Sequence, residues 1–138
     1  MSSIVIRPEE LSATIARQLD SLSKEVTEKA NQAAEKAAAG AVEELKSTSP
    51  VRHTDVNSKK RPKPGLYAKG WKKTKEPTVL GLDTYTVHNT HYQLTHLLEF
   101  GHVLRQGGRA GEYPHIAQAE KNAGDKFLEE LYKDIRNL

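Results

Sequence analysis

Apolar residues recur at Leu11, Ile15, Leu19, Leu22, Val26, Ala30, Ala33, Ala37, Ala41 and Leu45, in steps of three and four. That spacing keeps them on one face of an α-helix. From Leu11 to Ala37 the steps run 4, 4, 3, 4, 4, 3, 4, an eleven-residue repeat that drifts little around a straight helix. Pro8 suits a first helical position, with Glu9 and Glu10 beside the positive end of the helix dipole. Pro50 pushes the residue before it towards extended backbone and so sets the far limit. The predicted helix covers 8–48 and is on the order of 50 Å long. That is longer than a thin domain can cover. Either one end overhangs, or the Ala-rich half from Ala30 to Ala41 packs closely on a neighbouring subunit.

Residues 49–64 have no periodicity and hold Pro50, Pro62 and Pro64, which predicts a flexible loop. In 65–113 the pattern shortens. Gly65–Trp71 reads as a strand, Lys72–Pro77 as a turn, and Thr78–Leu82 and Thr84–His88 as strands rich in Val, Thr and Tyr. Tyr92–Phe100 has helical spacing through Leu94, Leu97 and Leu98, with Gly101 as its cap. His102–Tyr113, with Gly107, Gly108 and Gly111, reads as a glycine-rich loop or hairpin. From 114 to 138 a second helix is predicted, with Pro114 in its first turn and Ile116, Ala119, Ala123, Phe127, Leu131 and Ile135 on one face. The expected fold is a single α+β domain. In it a long N-terminal helix and a C-terminal helix pack on a small antiparallel sheet, with a short helix at 92–100.

Composition narrows the chemistry. Among 138 residues, 36% are hydrophobic and 6% aromatic, so the core is thin and part of the stability is expected to come from partners. Without cysteine there are no disulfides and no thiol chemistry. The N-terminus turns acidic at Glu9 and Glu10, unlike a signal peptide, and no apolar run approaches a bilayer span. No membrane contact is expected, and the cell's cytoplasm is the expected place of synthesis and assembly.

Six histidines raise the question of a metal. His88, His91, His96 and His102 fall close together, but no HExxH pair occurs and ordinary surface or interface roles fit them better. No metal or other cofactor is expected. Glu99 is unusual in lying among Leu97, Leu98 and Phe100. A carboxylate so placed more often fixes a helix end than serves as a general acid. No GxSxG elbow or phosphate-binding loop is present. No catalytic site is expected.

Charge is uneven. Between Lys46 and Lys75 ten Lys and Arg stand against the single acid Asp55, leaving −6 for the rest of a chain whose net charge is +3. This belt includes Arg52, Lys59, Lys60, Arg61, Lys63, Lys69, Lys72 and Lys73, with Tyr67 and Trp71 interleaved. It can track a phosphate backbone or dock on an acidic partner. Arg105 and Arg109, in the glycine-rich stretch, are further candidates for contact with an acidic neighbour or DNA.

The residues Leu97-Leu98-Glu99-Phe100-Gly101, preceded by Tyr92 and His96, resemble the LEFG signature of a tail-component family of tailed bacteriophages. Pro50-Val51-Arg52-His53-Thr54 and Gly65–Trp71 are similar to its Pro-x-Arg-Thr-Gly-x-Leu segment, split here by Asp55–Pro64. Gly107–Gly111 and Pro114–Ala119 look like its glycine-rich stretch and final helix start, so the resemblance spans nearly the whole chain. It implies a non-enzymatic tail-completion or neck protein of the virion. Such a protein forms a ring, commonly hexameric, around the DNA channel, between the tail tube or terminator protein and the head connector proteins. A structural role is expected for Leu97, Leu98, Glu99, Phe100, Gly101 and Pro114. In that role Leu98 and Phe100 pack between the helices and the sheet, so that Phe100→Ala costs about 3–5 kcal/mol.

Overall fold

A computed structural model describes residues 7–51 and 65–138. After a 3-10 turn at Pro8–Glu10, helix α1 runs over Leu11–Thr48, about 57 Å at 1.5 Å per residue. The short helix α2 covers Leu66–Lys69, strands β1 and β2 cover Trp71–Pro77 and Asp83–Asn89, and helix α3 covers Tyr92–Phe100. Two-residue strands β3 (His102–Val103) and β4 (Arg109–Ala110) precede helix α4, Ile116–Arg136. The α+β class and the two long helices are as the periodicity predicts.

The short elements differ from the sequence reading. Gly65–Trp71 is not a strand: Gly65, at φ 84°, opens α2, and Gly70 closes it. Lys72–Pro77 is not a turn but most of β1, and Thr78–Leu82 is not a strand but the reversal between β1 and β2. The strands pair antiparallel from Trp71↔Asn89 to Pro77↔Asp83. Instead of one small sheet, the described residues form two separate two-stranded sheets, β1–β2 and β3–β4. Pro114 stands ahead of α4, whose N-cap is His115, rather than in its first turn.

Helix α1 is the spine. On one side α4 lies antiparallel to it, with Lys36 3.4 Å from Glu130, Lys126 against Gly40, and Asn122 donating to Glu44 at 2.6 Å. On the other side lies the β1–β2 hairpin. There Asn31 donates to the Gly81 carbonyl and accepts from the Asp83 N–H, each at 2.9 Å. The core is small: Val42, Leu45, Tyr67, Trp71 and Ala119, with Val87, Leu98 and Ile116 packed against it. Ala33, Ala37, Ala38 and Ala41 are buried within the subunit. The Ala-rich half therefore packs on its own chain, where small side chains admit close approach of two elements to the helix, and not on a neighbour. The opposite half overhangs.

Candidate assembly surface

Helix α4 begins without a side-chain cap of its own and without an acid in its first turn. A helix start leaves N–H groups unpaired, and here a residue from α3 supplies the acceptor. The Glu99 carboxylate accepts from the main-chain N–H of His115 at 2.7 Å, Ile116 at 2.9 Å and Ala117 at 3.0 Å. Burial pulls its pKa up, but these three donors and the neighbouring His115 outweigh that and hold it below the ordinary value.

His115, also buried, carries the network inward. Its Nδ1 lies 2.6 Å from the Tyr113 carbonyl, which can only accept, so Nδ1 bears a proton. In the neutral imidazole Nε2 is then left to accept from the Tyr67 hydroxyl at 2.8 Å. The rings of Tyr67, Trp71 and His115 meet edge to face, with centroids 5.6–6.2 Å apart. Trp71 donates to Ser49 Oγ at 2.7 Å, and Asn89 donates to the Tyr67 carbonyl at 2.8 Å. Burial, then the Glu99 charge, push the Tyr67 phenol up to about 12. This is a structural network, in which the polar groups of Glu99, His115, Tyr67, Trp71 and Asn89 are spent on one another, on Ser49 and on the neighbouring main chain.

The LEFG residues divide accordingly. Glu99 is inside and Leu98 packs on the core, whereas Leu97 and Phe100 face solvent. Phe100 is 58% exposed, which overturns its expected place in the core. On a helix that packs through Leu98 and Glu99, the following residue turns outward. Gly101 has φ 72°, and a β-carbon there would lie 2.7 Å from the Ala110 carbonyl oxygen. Val103 and Tyr113, close in sequence to this reversal, are exposed as well.

Two further apolar regions lie open. At the β1–β2 reversal Val79 and Leu80 project almost fully into solvent. Along the overhang of α1, Leu11, Ile15, Leu19 and Leu22 are 46–61% exposed.

Of the basic belt, Arg52, Lys59, Lys60, Arg61 and Lys63 lie outside the described residues. Lys69, Lys72 and Lys73 are exposed on α2 and β1, while Lys75 pairs with Asp83 at 3.2 Å, whose hydrogen bond and charge raise the lysine's pKa. Tyr67 and Trp71, interleaved with the belt in sequence, are buried and cannot take part in such a contact. Arg105 is exposed, and Arg109 donates to the Phe100 carbonyl at 3.3 Å. Among the described residues no cluster of side chains is arranged to hold a metal, and no helix is long and apolar enough to cross a membrane. Sequence reasoning missed His115, Asn89 and Ser49. The only signal was the position of His115 at the start of a helix with no acid in its first turn.

Residues 13–101 match the model of a family described as "Bacteriophage HK97-gp10, putative tail-component". The chain belongs to this phage tail-component family. No curated protein and no solved structure matches it. As a family member the tail-component protein is a structural part of the virion that works through contacts with other virion proteins. The match ends at Gly101, so it includes Glu99 but not the helix that Glu99 caps.

Proposed function

We propose that this tail-component protein is a tail-completion or neck subunit. It assembles in the host cytoplasm as a ring, of six copies as the resemblance implies, at the head-proximal end of the tail. There it joins the tail tube or terminator protein to the head connector proteins. The observation that carries this reading is how much apolar side chain the subunit leaves uncovered in three places: the α1 overhang, the Val79–Leu80 tip, and the Leu97–Phe100–Val103 region. A ring member needs two lateral contacts and at least one axial contact. Isolated apolar residues on a surface are ordinary, but grouped ones mark contact sites.

Electron microscopy of a lysate from the parent phage lacking this gene tests the assignment. DNA-filled heads beside unattached tails are expected. Normal, infectious particles overturn it.

DNA contact belongs to the same reading. Lys69, Lys72 and Lys73 extend the basic belt along α2 and β1, and in a ring around a channel such charge meets passing phosphates. Affinity for duplex DNA that falls steeply with salt, and is lost when the belt is neutralised, is expected. Salt-independent binding, or none, removes the channel contact and leaves docking on an acidic partner.

A further inference from the structure

The overhang of α1 carries an inference that does not rest on the neck reading. At about 100° per residue, Leu11, Ile15, Leu19 and Leu22 fall on the face that, further along, presents Ala33, Ala37, Gly40 and Glu44 towards α4. The seam covered by α4 thus continues, uncovered, past the end of α4. From the pairing of Lys36 with Glu130, the last turn of α4 lies level with about residue 30 of α1. Beyond it the helix leaves an apolar ledge ~28 Å long and one helix deep.

We propose that a second copy fills this ledge. The two overhangs pair antiparallel about a two-fold axis at Leu19, each lying end to end with the other copy's α4. Two observations favour a second copy over a foreign helix, and a third sets how tightly it holds. The first is length: the space beyond α4 equals the segment that creates it. With Leu19 on the axis, Ile15 of one copy packs beside Leu22 of the other, and Leu11 beside Val26, so the stripe interleaves with itself.

The second is charge. Within 11–23 the only charged residues are Arg17 and Asp20, and both point to the far side of the helix, where Asp20 pairs with Lys24 at 3.0 Å. No like charges therefore meet at the seam. At each end Lys29 comes level with Glu9 and Glu10 of the other copy, which is complementary.

The third is area. Four side chains exposed by 46–61% present on the order of 400 Å² per copy, so with their flanks the pair hides roughly 800–1,000 Å². That falls just below the ~1,200 Å² at which specific complexes become stable. The pair is therefore reversible at micromolar concentration.

The absence of cysteine from the chain makes the test clean. Sedimentation of the full-length protein over a micromolar concentration series is expected to show a monomer–dimer equilibrium. Leu19→Glu should shift it to monomer, weakening association at least tenfold with an unchanged melting curve. Gln18→Cys places two thiols beside the axis and should crosslink into dimers on oxidation, whereas Ser12→Cys, whose two copies lie ~21 Å apart along the pair, should not. A monomer at every concentration overturns the proposal. So does a dimer that survives Leu19→Glu, or one that crosslinks equally through Ser12→Cys.

Discussion

Glu99 and the N–H of His115 lie 2.7 Å apart across sixteen residues of sequence, and through that contact α3 closes the open end of α4. The same carboxylate holds the next two N–H groups, so three main-chain donors at the helix start depend on one side chain. Glu99→Ala should destabilise the fold by about 2–4 kcal/mol, combining the loss of a cap with stranded donors. Glu99→Gln, which keeps one acceptor oxygen, should cost about half as much. Urea melts of both variants check the order and the size.

Acid should act through the same group. Its folded pKa is depressed below the ordinary 4.5, so its contribution is complete above that value and is lost as pH falls through the folded one. Wild-type stability should therefore decline below about pH 4.5 more steeply than that of Glu99→Gln. Parallel declines would mean that other carboxylates govern acid unfolding.

Tyr67 offers an independent probe. Of five tyrosines, one should ionise late in a spectrophotometric titration of the folded protein, near 12. A raised phenol pKa favours the neutral form when folded. This contribution is present below pH 10 and is lost between 10 and about 12. Tyr67→Phe should remove the late component and cost about 1–2 kcal/mol by stranding His115 Nε2.

Gly101→Ala should cost about 2 kcal/mol or more, because a positive φ is strained for alanine and its β-carbon would strike the Ala110 carbonyl. Gly65→Ala, at a positive φ with open space around it, should cost about 1 kcal/mol. Thermal melts of the pair separate the steric part from the conformational part.

Phe100→Ala should change stability by less than about 1 kcal/mol, given its exposure. Leu98→Ala, at the core, should cost about 2–3 kcal/mol. The sequence reading expected the larger value for Phe100, and the reason for the difference is instructive. Helical spacing shows that 92–100 is a helix, but its apolar residues are spread around it with polar ones between them, so its pattern does not say which side is covered. The acidic residue among them, Glu99, is the one that turns inward.

The long helices were legible because each is covered along one stripe, and a stripe leaves a period in the sequence. Strand β1 was not, because Trp71-Lys72-Lys73-Thr74-Lys75-Glu76-Pro77 is exposed everywhere after Trp71 and has nothing to alternate. It is a strand only by virtue of its partner β2. Val79 and Leu80 misled in the opposite sense: β-formers by type, they sit at an exposed reversal closed by Gly81 at φ 79°. At the node, Tyr67, Asn89, Glu99 and His115 come from four segments whose meeting no local pattern records.

The borrowed cap of α4 bears on the order in which the chain acquires its structure. Helix α4 leaves the ribosome after α3, and its first turn cannot finish its hydrogen bonds from its own sequence. It meets an acceptor already synthesised and held at the end of α3. The amides of His115, Ile116 and Ala117 should thus exchange with solvent deuterium only when the tip of α3 lets go, so that two helices separated by a glycine-rich hairpin open as one unit.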